Sequence, residues 1–363
     1  MVAKKLAFDR LLFTVVVLLV GIGLVMVYSA SAPMARAQGH AVNPFLVRQL
    51  AAAAIGFGAM FAVMHLDYRL LKRPAVVGAL LAGVFALLVL VLFGPQLNAT
   101  RRWLFVGGVS IQPSELAKLA LIPFVAYQLD RARERVNRRE TLLPVGLVTG
   151  AVAGLVVLQP DLGTAVLLVL TVGTLLFLGG LAWRYVLAGA ALGLPVAALL
   201  VWAEPYRRAR LFSFLDPERD PLGSGFQALQ SLIAVGSGGL GGLGPGESVQ
   251  KLYFLPYPHS DFIYSIVAEE LGLVGALVVL GLFAILFWRG ARAGLKAPDP
   301  FGRYLGWGFV ALLALQAMIN ISVALALLPT KGIPLPFLSY GGSSLVVSLT
   351  ACGVLLNVSQ HGG

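Results

Sequence analysis

Ten apolar runs, each near the ~20 residues that a bilayer demands, leave this chain few ways to fold. They cover 11–30, 46–66, 75–94, 113–129, 142–159, 163–181, 184–203, 263–288, 304–328 and 339–358. In lipid, a run must satisfy its backbone polar groups within itself or in a closed barrel. The period-2 alternation of a transmembrane barrel is absent, so the runs are helices. Only 12% of residues are charged and 58% are hydrophobic, against about 25% charged in soluble domains. The expected fold is an all-α integral membrane protein: ten transmembrane helices in one polytopic domain over 1–363, with one long loop, 204–261, between helices 7 and 8. No internal repeat is visible, which argues against an inverted-repeat transporter.

Charge sets the orientation. Sixteen Lys and Arg fall on one side: Lys4, Lys5, Arg10, Arg69, Lys72, Arg73, Arg131, Arg133, Arg135, Arg138, Arg139, Arg184, Arg289, Arg292, Lys296 and Arg303. The short loops of the other side hold five: Arg36, Arg48, Arg101, Arg102 and Lys331. The positive-inside rule therefore puts both termini in the cytoplasm and the 204–261 loop outside. The same rule accounts for the net charge of +11 without nucleic acid. The first run is longer than a signal-peptide core and reads as an uncleaved span despite the Ala35-Arg36-Ala37 sequence after it. The single cysteine, Cys352, excludes an internal disulfide, and four scattered histidines give no zinc spacing.

Acid chemistry concentrates where the long loop meets span eight, in Asp261 followed by Glu269 and Glu270. Glu269 is expected roughly 12 Å further along a helix, at about 1.5 Å per residue. Around Asp261 the outside groups are mostly cations: Arg101 and Arg102, Arg207, Arg208 and Arg210, Lys251 and Lys331. Glu115 and Lys118 stand three apart at a helix start and read either as an ion pair between helices or as a cavity lining. Asp161, after Gln159-Pro160, is expected to cap a helix. A short apolar piece, 226–235, is expected at the interface. The run that follows fits G-x-G-x-x-G at Gly236, Gly238 and Gly241, but a loop between spans lacks the βαβ context of a dinucleotide site. Glycines there can still bring backbone N–H groups to an anion. Asn320 reads as a helix–helix hydrogen bond. Lys331 and Ser343 read equally as packing or substrate contacts.

One base among many cations at membrane level suits a substrate with an anionic head and an apolar tail, such as a lipid pyrophosphate. Cations or a divalent metal would steady the leaving group. A transporter with a polar cavity fits the composition nearly as well.

Five separated motifs resemble the SEDS family of shape, elongation, division and sporulation proteins. They are Gln112-Pro113-Ser114-Glu115 with Lys118; Gln159-Pro160-Asp161; the run from Leu215 through the glycines; His259-Ser260-Asp261-Phe262-Ile263 with Glu269-Glu270-Leu271-Gly272; and Leu335-Pro336-Phe337 through Ser344. The stretches at 26–31, 250–256 and 329–332 are more similar to the family's division branch than to its elongation branch; Leu162 is not. The resemblance implies a peptidoglycan glycosyltransferase in the bacterial cytoplasmic membrane. It would polymerise lipid II on the outer face beside a class B penicillin-binding protein, among other divisome or elongasome proteins. Asp261 matches the family's essential acid, as base or as ligand to a divalent cation (Mg or Mn), and Glu115 and Lys118 would line the cavity. The candidate substrate contacts are Glu115, Lys118, Arg101, Arg102, Arg207, Arg208, Arg210, Lys251, His259, Ser260, Lys331 and Ser343. Two other readings stay open: a lipid II flippase, and a scaffold that only recruits the transpeptidase.

Overall fold

The computed structural model describes residues 8–96, 100–107, 109–217, 223 and 225–362. Among them are twelve α-helices: α1 (Arg10–Ala37), α2 (Pro44–His65), α3 (Pro74–Leu90), α4 (Pro113–Ala132), α5 (Arg139–Leu158), α6 (Leu162–Leu178), α7 (Trp183–Trp202), α8 (Pro205–Leu215), α9 (Phe226–Ser237), α10 (Ile263–Leu295), α11 (Pro300–Ala324) and α12 (Gly342–Ser359). Each predicted span falls on one of them; α8 and α9 are additional and lie within the long loop. Eight are long and apolar enough to cross a membrane: α1, α2, α5, α7, α10, α11, α12, and α3 together with the short turn that extends it to Phe93. The apolar α6 is shorter, and α4 carries Glu115, Lys118, Asp130 and Arg131.

The ends of the helices follow local chemistry. Asp9, Asn43, Asp161 and Asp299 each accept a first-turn backbone N–H, replacing partners a helix start lacks. Asp299 with Pro300 starts α11 at 300 rather than the expected 304. The helix stops at 324 rather than 328, just before Ala326 turns to φ 50°. The loop between α3 and α4 forms a hairpin of β1 (Leu104–Val106) and β2 (Val109–Ile111), with Phe105 opposite Ser110.

The core runs through α4, α11 and α12, whose apolar residues are buried on most faces. α2 packs along α12, and α10 lies between α1 and α11. α7 buries none of its residues, which leaves its apolar surface to lipid.

α10 is broken, and the glycine-rich stretch fills the break. Gly272 takes φ 64°, ψ −167°, which a helix cannot hold. The interruption frees backbone groups that a bilayer would not satisfy. The loop after α9 satisfies them: the N–H groups of Leu243 and Gly244 donate to the carbonyls of Glu269 (3.0 Å) and Glu270 (3.1 Å). In return, the carbonyls of Gly239 and Leu240 accept from Leu273 (2.9 Å) and Val274 (3.2 Å). The amides of Leu243 and Gly244 are therefore occupied by the chain's own carbonyls. The anion that a glycine amide of this loop meets is the chain's own Glu270 carboxylate, reached by Gly246 N at 2.9 Å. α9 is likewise more than an interfacial piece: Ser231 bonds Ser265 of α10 and the Ala324 carbonyl of α11, both at 2.6 Å, while Leu232 and Ile233 face outward.

Candidate active site

Asp261 stands in the turn that leads into α10. Its backbone carbonyl accepts a hydrogen bond from Asn320 Nδ2 of α11 at 2.9 Å. The same amide nitrogen reaches the Ile333 carbonyl at 2.8 Å. One side chain thus clamps the acid loop to the proline-rich loop before α12. That loop comes close on the other side as well, since a Cβ built on Gly332 would lie 3.4 Å from Asp261 Oδ2. Ser339 closes the arrangement: its hydroxyl donates to the Ser260 carbonyl (2.6 Å) and accepts from Leu335 N (2.8 Å). Tyr340 N donates to the His259 carbonyl at 2.8 Å.

Asp261 is half-buried, with part of its surface open and packed protein around its carboxyl. This desolvation pushes its pKa up to about 6, against the opposing pull of the Arg210 and Arg102 charges and a hydrogen bond from Ser260. The negative charge of Asp161 adds a small upward push. Arg210 comes from α8, where it lies over the Tyr206 ring and donates to the Thr330 carbonyl at 3.0 Å. Arg102 is held by the carbonyls of Gln159 (2.9 Å) and Pro160. Lys331 is partly desolvated and close enough to Arg210 for both effects to lower its pKa. Separate segments of the chain thus bring Arg210, Arg102 and a second carboxylate, Asp161, within electrostatic reach of Asp261, with Lys331 beside Arg210.

Other expected site residues go elsewhere. Glu115 and Lys118 are 2% and 1% exposed and pair at 2.6 Å. Lys118 also donates to Gln316 Oε1 (2.9 Å), and Gln316 Nε2 donates to the Pro334 carbonyl (2.9 Å). The pair lines no open surface; it supports the loop that faces Asp261. Removing one member strands a buried charge, so Lys118→Met is expected to cost about 3–5 kcal/mol. Glu115→Leu with Lys118→Met should be milder than either single change, which thermal unfolding in detergent would read. Lys251 is committed to Glu270 (2.8 Å), to Ser29 (3.0 Å) and to the Gly246 carbonyl, beside an apolar groove along α1. Glu269 accepts from Ser248, Val249 N and Gln250 N. His259 is buried between the Phe45 and Tyr340 rings, and burial pushes its pKa down to about 4. A neutral, packed ring is no cation for a phosphate. Ser343 ties the hairpin to α12 through Gln112 N (3.1 Å) and the Ser110 carbonyl (3.2 Å). Arg101 donates to the Leu92 carbonyl and Arg207 to the Leu200 carbonyl, both at 2.8 Å. Arg208 shares α8 with Arg210, and among the described residues no contact joins it to Asp261.

Sequence reasoning missed Gln316 and Ser339 and undervalued Asn320. The signal was present: two lone amides four apart on one face of an apolar helix. Asn320→Leu is expected to lower turnover about tenfold or more, with substrate KM nearly unchanged, because it frees the loop under Asp261 rather than a substrate contact.

Among the described residues, no group of three or more His, Cys, Asp or Glu can hold a metal ion. Asp261 and Asp161 are the carboxylates of this cluster, with guanidinium and ammonium groups near them. Hard divalent cations take six or more oxygen ligands. Mg²⁺, however, is commonly held by one or two carboxylates, with water and substrate phosphates completing its shell, so Asp261 with Asp161 fits a cation that arrives with a pyrophosphate substrate.

These helices, gathered about a carboxylate-and-cation cluster at the ends of several of them, define a multi-pass membrane protein with a polar site at the mouth of its helix bundle. The chain belongs to the FtsW/RodA/SpoVE family of cell cycle proteins, whose model matches residues 9–362. It is 44% identical to the probable peptidoglycan glycosyltransferase FtsW of Geobacter metallireducens, over 98% of this chain and 95% of that one. It is 45% identical to stage V sporulation protein E of Bacillus subtilis, over 99% of both. Among solved structures it matches a chain from a peptidoglycan synthase complex that coordinates polymerization and crosslinking (TM-score 0.81, 36% identity, 98% of both chains). It also matches the rod shape determining protein RodA of Thermus thermophilus (TM-score 0.71, 32% identity, 98% and 97%).

Proposed function

We propose that this protein is a peptidoglycan glycosyltransferase that polymerises lipid II at the outer face of the bacterial cytoplasmic membrane. The observation that carries the reading is the partly open, raised carboxyl of Asp261 within reach of the Arg210 and Arg102 charges, with Lys331 next to Arg210. A base with a pKa near 6 is ionised at neutral pH yet more basic than an ordinary carboxylate. Asp261 takes the proton of the 4-hydroxyl on the GlcNAc of an incoming lipid II. The oxygen forms a bond to C1 of the lipid-linked MurNAc that ends the growing strand. The bond from C1 to the pyrophosphate oxygen breaks with inversion, and the departing charge meets the three cations.

α4 and α6 complete ten crossings, with both termini cytoplasmic and α8 and α9 outside. α4 fits this because its internal charges are paired or near an end. The partner is a crosslinking enzyme, a class B penicillin-binding protein; the matched complex, which joins polymerization to crosslinking, supports such a pairing, and the FtsW names among the relatives favour division over elongation.

The test mixes the purified protein, its transpeptidase partner and lipid II. Glycan strands from wild type and none from Asp261→Asn support the polymerase. Lipid transfer across vesicles without strands would replace it with a flippase. Strands from Asp261→Asn at the wild-type rate would leave a scaffold.

A further inference from the structure

At the opposite end of the bundle, between the end of α4 and the start of α5, lies a cavity of about 500 Å³. Gln128, Arg131, Arg135, Arg138, Glu140 and Pro144 line it. Its charged lining, Arg131, Arg135, Arg138 and Glu140, is solvent-exposed and carries an excess of two positive charges. Among the described residues none of the three arginines forms an ion pair. Asn137 fixes the loop that carries Arg135 and Arg138: its side chain donates to the Gly180 carbonyl (3.0 Å) and accepts from Ala182 N (2.8 Å). Tyr185 holds the Asn137 carbonyl at 3.1 Å, and Thr141 the Arg135 carbonyl at 3.2 Å. The cavity wall is therefore built without a ligand. The N-terminus of α5 opens beside it with no side-chain cap, and a helix start favours anions. Positive-inside sorting explains arginines on this side, but not their convergence on a cavity with a braced wall.

The rim is apolar on the lipid side. Glu140, Pro144 and Leu147 share one face of α5 by their spacing, and Leu143 and Leu147 are 61% and 64% exposed. A ligand here can place its charge among the arginines and its chains along α5. We infer that the cavity binds the headgroup of a phospholipid with two phosphates, held in the inner leaflet. Two phosphates match the excess charge, and basic pockets between spans on the cytoplasmic side suit such headgroups. The inference rests on the orientation proposed above.

The test uses the full-length protein in phosphatidylcholine nanodiscs titrated with fluorescent cardiolipin. Wild type should bind it saturably. Arg131→Gln, Arg135→Gln and Arg138→Gln together should weaken binding about 100-fold, at about five-fold per cation. Glu140→Gln, which keeps every cation, should tighten it. Neutralising Arg73, Arg292 and Arg303 instead, the same charge change away from the cavity, should leave it nearly unchanged. Equal loss in both triple variants would overturn the site in favour of diffuse attraction. Full competition by inorganic pyrophosphate at micromolar concentration would overturn a lipid in favour of a free anion. Nanodiscs expose both faces, so affinity is read whatever the orientation; labelling of an Arg303→Cys variant from outside intact cells would overturn the leaflet. Glycan synthesis in phosphatidylcholine should be unchanged in the Arg131, Arg135 and Arg138 variant, so failure of the polymerase reading and failure of this one are separable.

Discussion

Replacing Asp261 by asparagine should abolish glycan synthesis while leaving the fold as stable as before, or more stable. A general base contributes about 10²–10⁴-fold, or roughly 3–5 kcal/mol of barrier at 1.36 kcal/mol per factor of ten. Stability should move the other way because burial raises this carboxyl from 3.8 to about 6. Between those two values the folded protein binds a proton that the unfolded chain has released. Stability therefore falls as pH rises through that window, and the cost is fully present above pH 6. Asparagine cannot ionise, so it removes the cost. A melting temperature for Asp261→Asn at or above wild type at pH 7.5, with the difference vanishing near pH 4, is the expected pair of readings. A lower melting temperature at pH 7.5 would mean that the carboxylate supports the fold and is not held there for chemistry.

The rate gives a second reading of the same group. The kcat/KM of the wild-type enzyme should rise about tenfold per pH unit below 6 and level off above 7, as the free enzyme's base loses its proton. Arg210→Gln should shift that rise to higher pH, since its charge is the largest of those opposing the desolvation.

How much of this was legible beforehand divides by what each residue touches. The apolar runs were readable because lipid contact forces composition on every helix that meets it. Caps at Asp161 and Pro113 were readable because a cap acts on its own neighbours. Lys251 shows the opposite case. It is only ten residues before Asp261, but its ammonium meets Glu270 two turns into α10. Nearness in sequence stood in for nearness in space and failed at a loop–helix junction. Arg210 and Arg102 reach Asp261 from segments about 50 and 160 residues away along the chain, and charge alone could nominate them without ranking them above Arg101 or Arg207. The amides of α11 were visible, but each has a backbone carbonyl of a proline-rich loop among its partners. Prolines lack the N–H that would pair such carbonyls locally, and no side-chain pattern announces that need.

The glycine-rich stretch separates two explanations by position. An anion loop of the G-x-G-x-x-G type would depend on Gly236, Gly238 and Gly241 together. A plug in the broken helix depends on a different set. A Cβ on Gly238 would meet the Ala268 carbonyl oxygen at 1.9 Å, and one on Gly242 the Glu270 carbonyl oxygen at 2.1 Å. Gly242 also has φ +83°, a region strained for any side chain. A Cβ on Gly236 or Gly241 would meet nothing within 4 Å. Gly238→Ala and Gly242→Ala should therefore each cost more than about 3 kcal/mol, in the range reserved for overpacking and forced backbone strain. Gly236→Ala and Gly241→Ala should stay within about 1 kcal/mol, and Gly236, inside α9, should if anything gain from alanine's helix propensity. The two damaging changes should also lower polymerisation, because the plug seats the part of α10 that begins two residues after Asp261. Thermal unfolding and glycan synthesis measured on the same four variants decide the matter. Damage that follows 236, 238 and 241 would restore an anion loop; damage at 238 and 242 alone assigns these glycines to the seam where two backbones pass within hydrogen-bonding distance.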